Sequence, residues 1–284
     1  MPSLPKLPSP TSLRQHALGL ILITDADHKA AAVRALPEAL NQGFTLSAEE
    51  ARAVLPEPPG VPGRPARPVL LPPTAMKNRA VGNPEGRAAL IHALAHIESN
   101  AIDLALDVLW RFPGMPEAFY LDWWRVAREE ALHFSLLQTH LRSLGYAYGD
   151  FPAHNGLWEM AAKTRGDLLA RLALVPRTLE ARGLDASPAI RNKLVSVGDK
   201  RGGEIIDIIL RDEIGHVAVG NRWFRHLCSQ RGLEPIAAYA ELAARYGAPR
   251  LQGPFNLDAR RAAGFEEAEL NLLLVTAAEQ SRTA

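Results

Sequence analysis

Two hexapeptides of this chain carry the same pattern of charged residues. Residues 128–133 read REEALH, and residues 211–216 read RDEIGH. The pattern Glu-x-x-His puts its two side chains three residues apart, so on a helix they share a face and can bind one metal ion. Each hexapeptide holds one such pair, Glu130 with His133 and Glu213 with His216. We interpret the two hexapeptides as the two halves of one metal site.

Both pairs lie on apolar stripes of their helices. Val126 and Leu137 share the stripe of the first pair, and Ile209 shares that of the second. The stripes predict that the pairs face a core, where an unpaired carboxylate is very costly and a metal ion would offset that cost. Two buried salt-bridge clusters, formed with Arg128 and Arg211, are the alternative, but the repetition of the pair favours the metal.

A metal site inside a helical bundle needs one further carboxylate from each of two other helices. Glu98 lies on an apolar stripe upstream of the first pair, and Glu180 lies upstream of the second. The separations agree, because 32 residues divide Glu98 from Glu130 and 33 divide Glu180 from Glu213. The chain is therefore interpreted as an imperfect duplication of a helical hairpin. Its predicted dinuclear site has six ligands: Glu98, Glu130, His133, Glu180, Glu213 and His216.

The ligand chemistry narrows the choice of metal. Four carboxylates and two imidazoles suit iron or manganese, whereas zinc sites usually have fewer ligands and calcium sites seldom include histidine. Glu129 and Asp212 each precede a ligand histidine by four residues, so each could accept a hydrogen bond from an imidazole and orient it. A salt bridge to a nearby arginine is an equal alternative for both. Glu204 is expected on the surface, and His140 is expected in the core or beside the site.

Four long helices must carry these residues. Asn83-Pro84-Glu85 predicts a helix start, because it combines a capping residue, a proline at the first helical position and an acid near the positive helix end. No strand alternation is evident, so an all-α four-helix bundle with added helices at both ends is predicted. Long helices are predicted over residues 84–110, 117–144, 156–182, with a kink at Pro176, and 187–230, with a break at Gly198 or Gly202-Gly203; shorter helices are predicted over 235–246 and 265–278, with a loop over 253–264.

The N-terminal region is rich in proline, which blocks helix interiors. Thirteen of the 22 prolines fall within residues 1–75. Two short helical segments are predicted there, over residues 11–40 with a break near Pro37 and over residues 47–55. Residues 56–73 are expected to be extended, as a linker or as a wrap over the main domain, and a proline-motif ligand for a partner is the less favoured alternative. The predicted organisation is an N-terminal extension over residues 1–83, the bundle over 84–230 and C-terminal helices packing on the bundle over 231–284.

The composition is that of an ordinary globular protein. The chain has 284 residues, 47% apolar and 22% charged, with a net charge of +1, so no strong electrostatic case exists for nucleic acid or an anionic membrane. Residues 1–84 hold nine Lys and Arg against six Asp and Glu, an excess of three that does not indicate a nucleic-acid surface, although a tRNA partner stays open. The single Cys228 excludes an internal disulfide, and no apolar signal or spanning segment is evident. A cytoplasmic location is therefore expected.

The order of the ligands, Glu then Glu-x-x-His and then both again, resembles the ferritin-like superfamily. Residues 86–265 also resemble a narrower group, the bacterial ferritin-like proteins called domain of unknown function 455. The resemblance supports all six ligands position by position, but it supplies no reaction, because the group is named for lacking one. The stretches that carry it are AHIESNAIDLALDVLWRFPGMP, REEALHFSLLQTHL, YGDFPAHNGLWEMA, LVPRTLEARGLD, ILRDEIGHVAVGNRWF and GPFNLDARRAAGF. Upstream of them, the early leucine-rich segment followed by DADHKAA resembles the N-terminal region of the same group.

The superfamily includes oxidases, hydroxylases and desaturases, among them enzymes that hydroxylate modified tRNA bases. The resemblance thus implies a cofactor of two iron ions, or of iron and manganese, that activates dioxygen. An oxygen-dependent oxidase or hydroxylase of an organic small molecule is the leading hypothesis. A non-enzymatic metal-binding protein and a peroxide scavenger are the alternatives. A homodimer is also expected, since bundles of this kind often form dimers, while the substrate and the electron donor stay open.

Overall fold

The structure is a computed structural model that describes residues 12–35, 48–72, 75–76 and 80–283. Its regular secondary structure in these ranges is helical, apart from an isolated bridge between Leu70 and Ala153. The predicted all-α class is therefore confirmed. Among the described residues, no helix combines the length and apolar character that crossing a bilayer requires.

Twelve α-helices and one π-helical turn make up the described chain. Four of these elements carry the predicted ligands. In chain order the elements are α1 (Leu13–Ile21), α2 (Ala26–Ala35), α3 (Ala48–Arg52), α4 (Pro84–Arg111), α5 (Glu117–Ser143), α6 (Gly156–Lys163), α7 (Leu168–Leu174), the π turn (Val175–Glu180), α8 (Ala181–Ser196), α9 (Lys200–Gln230), α10 (Pro235–Tyr246), α11 (Leu257–Ala262) and α12 (Glu267–Thr283).

The predicted helices over residues 84–110, 117–144 and 235–246 are confirmed as α4, α5 and α10. The predicted boundary between the third and fourth long helices, between residues 182 and 187, is wrong. α8 continues through Gly183 and Pro188 as far as Ser196. The break predicted at Gly198 or Gly202-Gly203 is confirmed at Gly198, which has a φ of +85°. Inside a helix a glycine costs about 1 kcal/mol and a proline about 3 kcal/mol, and the packing of α8 along α9 outweighs both costs.

Two shorter segments also differ from the prediction. The segment over residues 11–40 divides at residues 22–25 into α1 and α2, because the carboxylate of Asp25 accepts a hydrogen bond from the N–H of His28 and starts a new helix. The predicted break near Pro37 lies outside the described residues. The expected loop over 253–264 contains α11, which begins where Asn256 Oδ1 accepts from the N–H of Ala259 at 3.2 Å.

The chain divides into two compact units, and each is described by itself. The described residues of the first unit fall within Met1–Leu70, His92–Thr139 and Ala147–Ala153. Those of the second fall within Leu71–Ile91, His140–Tyr146 and His154–Ala284.

In the first unit, buried cations attach the N-terminal helices to α4. The fully buried Arg14 of α1 donates hydrogen bonds to the carbonyl oxygens of Leu109 and Trp110, 3.4 and 2.6 Å away, in the last turn of α4. These carbonyls have no partner within a helix, so the guanidinium caps the negative end of α4. Lys29 of α2 donates to Asp103 of α4 at 2.5 Å in a second buried contact. The two contacts anchor the helix that carries Glu98.

In the second unit, α7, the π turn and α8 pack along α9. Gly220 permits the close approach, since a Cβ there would lie 2.5 Å from Cβ of Pro176. Asp199 starts α9 by accepting from the N–H of Gly202 at 2.8 Å. The C-terminal part of the chain closes this unit through the buried side chain of Arg260, which donates to Asp185 at 2.6 Å. α11 thus packs against both α8 and α9.

Candidate metal centre

Three of the predicted ligands come together in the first unit, and we call them the first ligand group: Glu98, Glu130 and His133. Glu98 is on α4, whereas Glu130 and His133 are one turn apart on α5. Nδ1 of His133 lies 3.4 Å from Oε2 of Glu98 and 3.3 Å from Oε2 of Glu130. Each residue offers a ligand atom, and these atoms lie within 4.8 Å of one another. A buried carboxylate and histidine cluster of this kind could bind a metal ion.

The surroundings of this group are apolar. Glu130 and His133 are fully buried, and Glu98 is 3% exposed. Burial first, and then the negative charge of Glu130, raise the pKa of Glu98 well above its usual range. Two carboxylates side by side in a dry core repel each other, and a cation between them would remove that repulsion. The donor set and its burial therefore fit a divalent metal ion.

The second ligand group is Glu180, Glu213 and His216, all in the second unit. Glu213 is 7% exposed and His216 is 1% exposed, so the prediction that this pair faces inward also holds. Oε1 of Glu213 lies 3.9 Å from Nδ1 of His216, one turn along α9. Glu180 is half-buried and ends the π turn, which packs on α9. The pair is brought together as predicted, with a looser spacing than in the first group.

The π turn that ends at Glu180 has an identifiable cause. Pro176 lies in its first turn and has no N–H to donate, so the regular helical bonding pattern cannot continue through it. Oγ1 of Thr178 instead donates to the carbonyl oxygen of Ala173 at 2.8 Å and lies 2.9 Å from the hydroxyl of Tyr239. The sequence predicted a kink at Pro176, but it did not predict the π turn. Pro176, which cannot donate an N–H, was the signal available in the sequence.

The remaining candidates lie in varied environments. Glu129 is half-buried on α5. Asp212 accepts hydrogen bonds from the exposed side chain of Arg211, at 2.7 and 3.0 Å. Glu204 is exposed, as predicted, and pairs with Arg201 at 3.0 Å. His140 is buried, as predicted, and its Nε2 lies 3.0 Å from Oδ2 of Asp199, the residue that caps α9.

Fold and site together define an all-helical protein with a buried carboxylate and histidine cluster that could hold a metal ion. A family model described as "Protein of unknown function (DUF455)" matches residues 22–271, and the chain belongs to this family. An uncharacterized protein of Haemophilus influenzae is 50% identical over 214 residues, which cover 73% of this chain and 74% of that protein. No solved structure matches the chain.

Proposed function

We propose that this chain is a dinuclear metal protein with a ferritin-like four-helix bundle over residues 84–230. In this proposal the first and second ligand groups together hold two iron ions, or one iron and one manganese ion. The proposal extends to an oxygen-dependent oxidase or hydroxylase that acts on an organic small molecule. Residues 1–83 then form an extension and residues 231–284 form C-terminal helices.

The first ligand group is the observation that carries the proposal. A buried imidazole within 3.4 Å of two buried carboxylates is a costly arrangement for a chain to maintain without a cation. The repetition of Glu-x-x-His in the second unit, again buried, supports a second metal position. The ferritin-like resemblance supports the assignment of both groups to one site.

The donor chemistry supports iron or manganese. Carboxylate oxygens dominate the six ligands, and two imidazoles complete them, a mixture that borderline divalent ions accept. When bound, such a pair supplies the activation of dioxygen and the electrons for its first reduction. The first ligand group is itself almost fully buried, and so are Ile102 of α4 and Ala131 and Phe134 of α5, which favours a site shielded from water.

The acids that directly precede the two Glu-x-x-His pairs belong to the same proposal. Glu129 and Asp212 are proposed to accept hydrogen bonds from the ligand imidazoles and so to fix their orientation. Asp212 already accepts a hydrogen bond from Arg211. A carboxylate has several acceptor positions, so Asp212 can also accept from an imidazole. Removal of the carboxylate at position 129 or 212 then weakens metal binding without abolishing it.

The direct test is the metal content of the protein purified without chelators from iron-sufficient cells. A Glu130→Gln/Glu213→Gln variant is compared with a matched control, Glu117→Gln/Glu204→Gln, which changes exposed acids on the same two helices. We expect two iron ions, or one iron and one manganese, per wild-type chain and per control chain, and fewer than one in the ligand variant. A metal-free wild type, with all variants equally stable, would contradict the proposal.

Oxygen uptake by the ferrous protein then tests the enzymatic part. Consumption that rises severalfold with an added organic compound, with that compound oxidised, supports the oxidase or hydroxylase. Peroxide consumption without any organic substrate would instead favour the scavenger, and metal binding with neither reaction would favour the non-enzymatic metal protein.

A further inference from the structure

The second unit contains a cavity of about 450 Å³, a volume typical of small-molecule sites. Its walls come from α10, from residues 248–251 and from α12. Most of the lining is aliphatic, with Ile236 and Ala243 on one side and Leu270 and Leu273 on another. Neither ligand group lines this cavity, so its role is separate from the metal centre.

Two buried cations line the cavity: Arg260, which is paired with Asp185, and Arg177. Arg177 is 3% exposed, and its guanidinium carbon lies 4.1 Å from the ring centroid of Phe224 and 5.6 Å from that of Tyr239. Its Nη2 donates to Glu269. Within the described residues, its Nε and Nη1 have no hydrogen-bond acceptor. Buried guanidinium donors without acceptors are uncommon, and they indicate a place for an acceptor from outside the chain.

The acidic residue beside Arg177 also lines the cavity, but its carboxylate already accepts three hydrogen bonds. Glu269 accepts from Arg177, from Arg225 at 2.8 Å and from the N–H of Glu266 at 2.9 Å. The cavity therefore offers donors rather than acceptors to a bound molecule. The exposed Arg250, which also lines the cavity, adds a positive charge at its solvent side. An anionic group attached to an apolar body matches this combination of charge and lining.

We propose that this cavity binds an amphipathic carboxylic acid. The carboxylate accepts hydrogen bonds from Arg177 at the enclosed part of the cavity, and the hydrocarbon chain lies between α10 and α12. Burial of the chain supplies affinity, and the guanidinium supplies the preference for an acid. This binding does not depend on the metal proposal, because no residue of either ligand group takes part.

Calorimetric titration with decanoate, and separately with decan-1-ol, tests the proposal. We expect one decanoate to bind per wild-type chain, with decanol binding at least tenfold more weakly. Arg177→Met, which leaves Glu269 paired with Arg225, should reduce decanoate affinity to that of decanol. Arg191→Met, a change at an exposed arginine of the same unit, should leave both affinities unchanged.

A second variant keeps the test decisive if Arg177→Met does not fold. Ala243→Phe fills the cavity from α10 without changing its charges, and we expect it to lose binding of both compounds. Equal affinities for decanoate and decanol, no binding to the wild type, or unchanged binding in Ala243→Phe would each overturn the proposal. The proposal would also be overturned if the protein self-associates in sedimentation through the exposed Leu272 and Val275 of α12 and does not bind decanoate.

Discussion

The two ligand groups contain the same residue types at nearly the same spacing, but the chain holds them differently. In the first group, His133 of α5 lies 3.3 and 3.4 Å from the two carboxylates, and buried cations anchor α4, which carries Glu98. In the second group, His216 lies 3.9 Å from Glu213, and the half-buried Glu180 ends a π turn. The first group is therefore more closely spaced than the second.

This difference suggests separate roles for the two halves. A preformed group binds metal with little rearrangement, whereas a carboxylate at a π turn can change its position as the ligand set changes. Glu180 is therefore the ligand that we expect to move most on metal binding, and Glu130 the one whose loss should cost most.

Substitution of the buried glutamates should produce the largest effects. Glu130→Gln is expected to weaken Mn²⁺ binding at least 100-fold, about 2.8 kcal/mol, because His133 loses one of its two carboxylate neighbours. Glu213→Gln should weaken it only about tenfold, because the second group is less tightly formed. Competition against a chelator measures both. A loss in Glu213→Gln as large as that in Glu130→Gln would remove the distinction between the two halves.

Crowding the π turn should destabilise the protein. A Cβ at Gly220 would meet Pro176, so Gly220→Ala is expected to lower the free energy of unfolding by about 1–3 kcal/mol. Gly215→Ala is the matched control, since a Cβ there meets nothing within 4 Å, and it should stabilise α9 by up to about 1 kcal/mol. Urea unfolding of the metal-free variants measures both. Equal effects from the two substitutions would show that α9 does not press on the π turn.

Acid should weaken the first unit through a buried histidine on α4. Nε2 of His92 accepts from the N–H of Gly149 at 2.9 Å. Burial lowers the pKa of His92 from 6.5 to about 4, although the charge of Asp150 partly opposes this. The unfolded chain takes up a proton at His92 below about pH 6.5, whereas the folded chain does so only near pH 4. The free energy of unfolding is therefore highest above pH 6.5 and decreases as the pH falls towards 4.

Between pH 7 and pH 5, this histidine should account for about 2 kcal/mol of lost stability. His92→Gln retains an acceptor for Gly149 but does not titrate, so its free energy of unfolding should fall less over the same range. Unfolding curves of the metal-free proteins at several pH values provide the measurement. The same pH dependence in both proteins would exclude His92 as the cause.

The smallest effect concerns the hydroxyl that supports the π turn. Thr178→Val keeps the shape of the buried side chain but removes the hydrogen bond to Ala173, so it should cost about 1 kcal/mol of stability. Metal affinity should fall severalfold through Glu180, two residues along. An unchanged affinity would show that the position of Glu180 does not depend on this turn.

Sequence reasoning predicted the helical class, the bounds of α4 and α5, and the inward orientation of both Glu-x-x-His pairs. These follow from local periodicity and from caps such as Asn83-Pro84, which depend on few residues. The path from α7 through α8 was less predictable, because tertiary packing against α9 decides whether Gly183 and Pro188 interrupt a helix. The cavity beside Arg177 could not be predicted, since it forms where Arg177 meets α10 and α12, which follow much later in the chain.

The most direct test of the central claim is an anomalous-scattering crystal structure of the protein loaded with iron or manganese. The proposal predicts two anomalous peaks about 3.5–4 Å apart, with a Glu-x-x-His pair coordinating each ion. A single peak at the first ligand group, or two peaks too distant to share a carboxylate, would contradict the claim that the repeated hexapeptides form one site.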